Sequence, residues 1–233
     1  AAMIRTNEKT VVIDAGPGSS ADILCAYIKN YTSKIDCLVL SHAHEDHMGG
    51  AFELINSIEV DMIIMSEDAS DSAFFGRTID AIAKNDIELN EALPGDNYEI
   101  GDITLELFAP QKDYGDKNNN SVVLRAQADG ASVLFTGDAE SESENDIIDK
   151  YGERIKSNIL KVGHHGSSTS TTEKFLSAAA PDIAVISCAR GNSYGHPHQE
   201  IIRRLRAYGV EILRTDEHGN IVISYKDGEV YVY

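Results

Sequence analysis

The sequence predicts an α/β fold in which two packed sheets carry helices on their outer faces. Three observations lead there. Apolar runs of strand length recur along the chain, each stopped by Gly, Pro or a polar turn. Stretches with helical apolar spacing alternate with them, giving strand, loop, helix, strand units. The two strand-rich blocks that result follow one another with no long linker, low-complexity tract or charge block between them. The 233 residues are therefore expected to form one domain over 1–233.

The elements follow in chain order. AAMIRTNEKT at the start reads as the middle of a hairpin, which suggests that the natural chain extends further upstream. Thr10–Gly16 (TVVIDAG) is a β-branched run ended by a turn. Asp22 to Tyr31 carries Ile23, Leu24, Tyr27 and Ile28 at helical spacing. Cys37–Leu40 is a wholly apolar strand, MGGAFELINSI opens a helix, and Asp61–Met65 is another buried strand. ITLELFAP alternates, and SVVLRAQADGASVLFTGD reads as a hairpin turned near Asp129-Gly130. Asn158–Val162 and Ile183–Ser187 are strands, with a helix over Glu173–Ala179 between them. Pro197–Tyr208 is a helix expected to turn Ile201, Ile202, Leu205 and Tyr208 inward and to close at Gly209. NIVISYKDGEVYVY is a final hairpin turned at Asp227-Gly228.

Composition narrows the function classes. Twenty Lys and Arg stand against 38 Asp and Glu, a formal charge of -18, which repels nucleic acid at long range unless bound metals reverse the local field. No apolar stretch is long enough to span a bilayer, and no signal peptide is visible. The three cysteines are far apart and odd in number, which fits core thiols better than a disulfide framework.

The chemistry concentrates at strand ends. SHAHEDHMGG (Ser41 to Gly50) follows the Cys37–Leu40 strand and contains H-x-H-x-D-H. In extended chain His42 and His44 point the same way, whereas the adjacent Asp46 and His47 diverge. The loop can thus offer two imidazoles to one metal and a carboxylate with an imidazole to a second, ligands suited to Zn, Mn or Fe. Met48 rather than His stands four residues after His44, so this is not H-E-x-x-H. A solvated histidine-rich turn is the alternative, and the buried strand before it argues against that. Asp138 in LFTGDAE reads either as a turn aspartate or as a carboxylate bridging two metals. His164 and His165 follow a further strand, in LKVGHHGSSTS. Ligands can converge where strand ends share one edge. His196, held extended before Pro197, could reach a substrate oxygen, while His198 reads as a surface residue near a helix start. Asp14 ends its strand and could hold the ligand loop by accepting hydrogen bonds. Arg203, Arg204 and Arg206 read as the wet face of a helix.

Together VVIDAG, SHAHEDHMGG, LFTGDAE and LKVGHHGSS resemble the metallo-β-lactamase superfamily over nearly the whole chain. The finer series NNNSVVL, LFTGD, ILKVGHHGSSTS, NSYGHPH and RTDEHGNI resembles the hydrolase domain of ComEC-type DNA-uptake competence proteins. The resemblance implies a four-layer αββα sandwich, two mixed β-sheets flanked by helices. It also implies two divalent metal ions, Zn or Mn. His42 and His44 would hold the first, Asp46, His47 and His164 the second, and Asp138 would bridge. Superfamily members often add a histidine to the first metal just before the GD strand. Here Asn118–Asn119–Asn120–Ser121 stands there, so the first site is expected to be the weaker, with Asn120 or Ser121 as its substitute ligand or as supporting groups. No cysteine stands beside Asp138, which argues against a true β-lactamase.

The implied reaction is metal-assisted hydrolysis by a hydroxide shared between the metals, with Asp46 essential and His196 or His165 serving the leaving oxygen. DNA or a small phosphodiester is the expected substrate, bound weakly and with shallow salt dependence because few cations are available. No feature points to an oligomer. In a ComEC-type protein the domain would be extracytoplasmic and tethered to a membrane channel region; otherwise it would be cytoplasmic. Two alternatives stay open: hydrolysis of a small ester, lactam or thioester, and a non-catalytic, metal-stabilised binding module.

Overall fold

The computed structural model describes residues 1–67, 70–226 and 228–233. The first sheet holds β1 (Ala2–Arg5), β2 (Thr10–Ile13), β3 (Lys34–Leu40), β4 (Glu59–Met65) and β5 (Glu88–Glu91) in sequence order. β1 runs antiparallel to β2, and the other neighbours are parallel. The second sheet holds β6 (Asn97–Ile100), β7 (Ile103–Ala109), β8 (Val123–Ala128), β9 (Ala131–Phe135), β10 (Ile159–Lys161), β11 (Ile183–Ile186) and β12 (Glu211–Arg214), arranged from β12 back to β6. β6 to β9 pair antiparallel and β9 to β12 parallel, so this sheet is mixed too. The C-terminal ribbon pairs β13 (Ile223–Lys226) with β14 (Glu229–Val232).

Strand alternation explains the layering. In β2 and β3, Val11, Ile13, Cys37 and Val39 face inward and meet Leu105, Leu107, Leu124 and Phe135 of the second sheet. Their neighbours Val12, Leu38 and Leu40 face outward, onto Ile28 of α1 (Ala21–Lys29), Leu54 of α3 (Ala51–Ser57) and Ile82 of α4 (Ala73–Lys84). α2 (Glu45–Met48) is a single turn between β3 and α3. On the far side Leu134, Leu160 and Ile186 of the second sheet meet Ile147 of α5 (Ser141–Tyr151), Phe175 and Leu176 of α6 (Glu173–Ala179), and Ile201 and Leu205 of α7 (Gln199–Ala207). α8 (Thr215–His218) is a short turn after β12. The order is helix, sheet, sheet, helix, the expected four layers. Each fully buried Leu, Ile or Phe in these faces stabilises by roughly 1.5–3 kcal/mol.

Several expectations shift in detail. Tyr208 does not face inward: it caps α7, 45% exposed, with its hydroxyl donating to the Glu173 carbonyl. The helix begins at Gln199 rather than Pro197, and Ile23 on α1 is exposed. The turn at Asp129-Gly130 is borne out, both residues having positive φ as a two-residue hairpin turn requires. At the last hairpin Gly228 also has positive φ, and Asp227 lies outside the described residues. Cys25, Cys37 and Cys188 are all free thiols.

Candidate metal centre

The parallel strands β2, β3, β9, β10 and β11 end on one edge of the sandwich, and each end carries part of the centre. β2 delivers Asp14, β3 delivers Ser41 to His44, and α2 delivers Asp46 and His47. β9 leads through Gly137 to Asp138, and β10 leads to His164 and His165. Gly137 has φ +51, and a Cβ there would lie 2.8 Å from the Ser121 side chain and 3.1 Å from Ser41 Cβ. Only glycine lets this turn pass so close to both loops.

One group of four is complete. Asp46, His47, Asp138 and His165 each offer one ligand atom, and these atoms all lie within 4.8 Å of one another. His47 Nε2 lies 3.1 Å from His165 Nε2, 3.2 Å from Asp138 Oδ1 and 3.7 Å from Asp46 Oδ2. His165 Nε2 lies 3.1 Å from Asp46 Oδ2 and 3.6 Å from Asp138 Oδ2. A tetrahedral metal with bonds of about 2.0–2.2 Å sets its ligand atoms roughly 3.3–3.6 Å apart, close to the separations that His47 and His165 make with the two carboxylates.

The hydrogen bonds behind the group fit it as well. His47 Nδ1 donates to Asp14 Oδ2 at 2.7 Å, and His165 Nδ1 donates to the Ser187 carbonyl at 2.7 Å. Both Nε2 atoms then face each other and two carboxylates, an arrangement that a shared cation, a proton or a metal ion, resolves. Asp14 also accepts from Ser41 N and Ser41 Oγ, which ties the end of β2 to the start of the ligand loop. Asp138 Oδ1 is buried and faces His47 Nε2 at 3.2 Å. A buried carboxylate is costly unless a cation, an imidazolium or a metal ion, sits on it.

A second pair lies across Asp138. His42 Nε2 faces His44 Nδ1 at 3.0 Å and Asp138 Oδ2 at 3.9 Å. Ser41 Oγ and Ser121 Oγ flank His42 Nδ1 at 3.1 and 3.3 Å. Ser121 therefore stands behind the ring, and its Oγ also accepts from Asp138 N. Asn120 is buried but turned away, accepting from Tyr114 N and donating to Asp113. Neither supplies the imidazole this side lacks.

The two adjacent histidines exchange the places expected of them. His165, not His164, joins Asp46, His47 and Asp138. His164 Nδ1 instead lies 3.2 Å from Glu140 Oε1 and 3.3 Å from Thr169 Oγ1, with its Nε2 3.8 Å from Asp138. Both residues have positive φ, so the chain coils left-handed after β10 and swings the second ring inward. Proximity to the strand is therefore no guide. His196 stands beyond them, half-buried, its ring 5.7 Å from that of His164. His198 stands at the start of α7, half-buried, accepting from Ser168 N, with its ring 4.8 Å from that of His196. Glu140 was missed, although D-A-E spacing sets Asp138 and Glu140 on one side of an extended segment.

Electrostatics separate the imidazoles. Burial works against charge on His47, but Asp14 and Asp138 outweigh it and push its pKa up to about 10. Burial and repulsion from His47 push His42 down to about 3. The His165 hydrogen bond holds Asp46 down at about 2, and burial lowers His196. Burial alone would raise Asp138 and Asp14, yet the surrounding imidazoles hold both well below the usual carboxylate range.

Residues 1–190 match the family described as "Metallo-beta-lactamase superfamily". The chain is 34% identical over 195 residues to ComE operon protein 3 of Bacillus subtilis, covering 83% of this chain and 25% of the relative. It is 32% identical over 230 residues to competence protein ComA of Neisseria gonorrhoeae, covering 98% and 31%. Exodeoxyribonuclease WalJ of Streptococcus pneumoniae is 26% identical over 183 residues, covering 69% and 66%. The chain thus spans about a quarter to a third of the length of the competence relatives. Among solved structures, the metallo-beta-lactamase fold protein YhfI of Bacillus subtilis superposes with TM-score 0.61 at 14% identity, covering 98% of this chain and 90% of that one.

Proposed function

The chain belongs to the metallo-beta-lactamase superfamily, and from that premise we propose that it hydrolyses phosphodiester bonds, with DNA as its polymer substrate. The observation that carries the reading is Asp138. Its buried carboxylate lies between the Asp46, His47 and His165 group and the His42–His44 pair, one oxygen toward His47 and the other toward His42 and His165. Asp46, His47, Asp138 and His165 would hold one divalent metal. His42, His44 and Asp138 would hold a second, more weakly because no third imidazole comes from Asn118–Ser121. Zn or Mn suits both donor sets. When bound, the metals supply Lewis acidity and water ionised near neutral pH.

The chain's own groups do the rest. Asp14 and the Ser187 carbonyl fix which nitrogen of His47 and His165 faces the centre. His164 and His196 are left facing the substrate side. Burial lowers the His196 pKa, and the charge of a bound phosphodiester works in the opposite sense. His196, having taken a proton from solvent, would pass it to the leaving oxygen.

DNA is favoured over an acyl substrate because one relative bears the name exodeoxyribonuclease and others are named for competence. With a formal charge of -18, attraction by the domain alone is weak. Among the described residues no helix is long and apolar enough to cross a membrane. In a longer protein of the competence type, a membrane channel region would deliver the strand to a tethered, extracytoplasmic domain. The test is elemental analysis after reconstitution with Zn or Mn, followed by assays on single-stranded DNA, a bis-aryl phosphate, a lactam and a thioester. Cleavage of the lactam or thioester without the phosphodiesters turns the reading to an acyl hydrolase. Bound metal with no turnover turns it to a binding module.

A further inference from the structure

We propose that Tyr194 is a stacking platform for an unpaired nucleobase next to the scissile phosphate. The inference rests on the phosphodiesterase reading and deepens it. Tyr194 is 77% exposed. One face lies parallel to His196, with centroids 5.7 Å apart and planes at 22°. His196 in turn stands against His164, whose Nε2 is 3.8 Å from Asp138. The row Tyr194, His196, His164 therefore runs from open solvent to the metal centre.

The platform is held in place. Asn192 Nδ2 donates to the His196 carbonyl at 2.6 Å, and its Oδ1 accepts from His196 N at 3.0 Å. His198 Nε2 lies 3.4 Å from the Tyr194 carbonyl. These bonds close residues 192–198 into a compact loop and fix the backbone from which the ring projects.

Electrostatics give the platform a purpose. A chain with 38 acidic and 20 basic residues cannot grip a phosphate backbone by charge away from its metals. Stacking needs no charge, tolerates any base, and is worth roughly 5- to 100-fold in affinity per base. A base inside a duplex is already stacked on its neighbours, so the platform selects unpaired nucleotides.

The experiment uses the metal-loaded chain with a short oligothymidylate, the same oligomer with its bases removed, and a duplex. Tyr194→Ala should raise KM for the intact single strand roughly 5- to 100-fold, with kcat and metal content unchanged. It should leave the abasic oligomer and the duplex unaffected, and Tyr194→Phe should restore wild-type KM. The chain contains no Trp, so Tyr194→Trp adds a sole indole whose fluorescence the intact oligomer should quench and the abasic one should not. Equal losses on intact and abasic strands would overturn the proposal and make Tyr194 a prop for His196. No loss and no quenching would overturn it outright. A wild-type chain that neither binds nor cleaves any oligonucleotide would instead bring down the phosphodiesterase reading, and this inference with it.

Discussion

Asp14→Asn keeps the side-chain shape and removes the charge that lies 2.7 Å from His47 Nδ1. Its effect on metal binding has two parts of opposite sign. In the metal-free chain Asp14 and Asp138 overcome burial and hold the His47 pKa at about 10. A metal arriving at Nε2 near neutral pH must therefore displace a proton. Below that pKa apparent affinity climbs by one decade per pH unit, roughly three decades between pH 7 and 10. The variant loses part of this competition, so its affinity should flatten at a lower pH and binding near pH 7 should release less acid. It also loses the partner that orients the ring and makes it basic, a change that lowers the plateau by about 10- to 100-fold. The two binding curves should therefore lie closest near neutral pH and separate as pH rises. Competition against a chromophoric chelator across this range, with proton release measured in dilute buffer, reads both parts. A variant with wild-type slope, plateau and proton release would refute the role assigned to Asp14.

His165→Ala should lower bound metal, whereas His164→Ala and His196→Ala should leave metal content intact; loss of His196 should slow turnover by about 10²–10⁴-fold, and elemental analysis beside a phosphodiesterase assay separates the three. Gly50→Ala would set a Cβ 2.6 Å from the Ala15 carbonyl oxygen, and should destabilise by about 1–3 kcal/mol in urea unfolding; a neutral result would contradict the close packing behind the ligand loop. Glu144 is fully buried, and burial pushes its pKa up to about 7 despite hydrogen bonds from Thr171 N and Thr172 N. Its protonated form is favoured by folding, so its contribution is complete below its ordinary value near 4.5 and is lost as pH rises through about 7. Glu144→Gln should flatten that decline, worth on the order of 3 kcal/mol, and thermal melts at several pH values test it.

Much of the architecture was legible because buried strands write their pattern plainly. The strands expected over Cys37–Leu40 and Ile183–Ser187 appear as Lys34–Leu40 and Ile183–Ile186, and the Asp129-Gly130 turn stands where the residues place it. The polar groups at strand ends were legible for the same reason: a His, Asp or Gly cluster after an apolar run has few other uses. β5, Glu88–Glu91, was not legible, since ELNE on an exposed sheet edge carries no apolar alternation. α4 and α5 were missed because Phe-Phe-Gly and an acidic opening interrupt the helical stripe that packing completes. The exchange of His164 and His165 was beyond the sequence. Which ring turns inward depends on two left-handed residues, and nothing in GHHG announces that either leaves the usual backbone region.

The centre is divided between the two halves of the chain. His47, the last group from the first sheet, is followed by Asp138 only 91 positions later (138 minus 47) and by His165 after a further 27 (165 minus 138). A chain emerging from the ribosome thus carries exposed imidazoles early and acquires the shared carboxylate late. Until β9 and β10 have docked against the first sheet, no fragment holds the four groups of the complete cluster. Assembly of this group therefore waits on closure of the sandwich, and a chain that stops short of Asp138 or His165 lacks part of it.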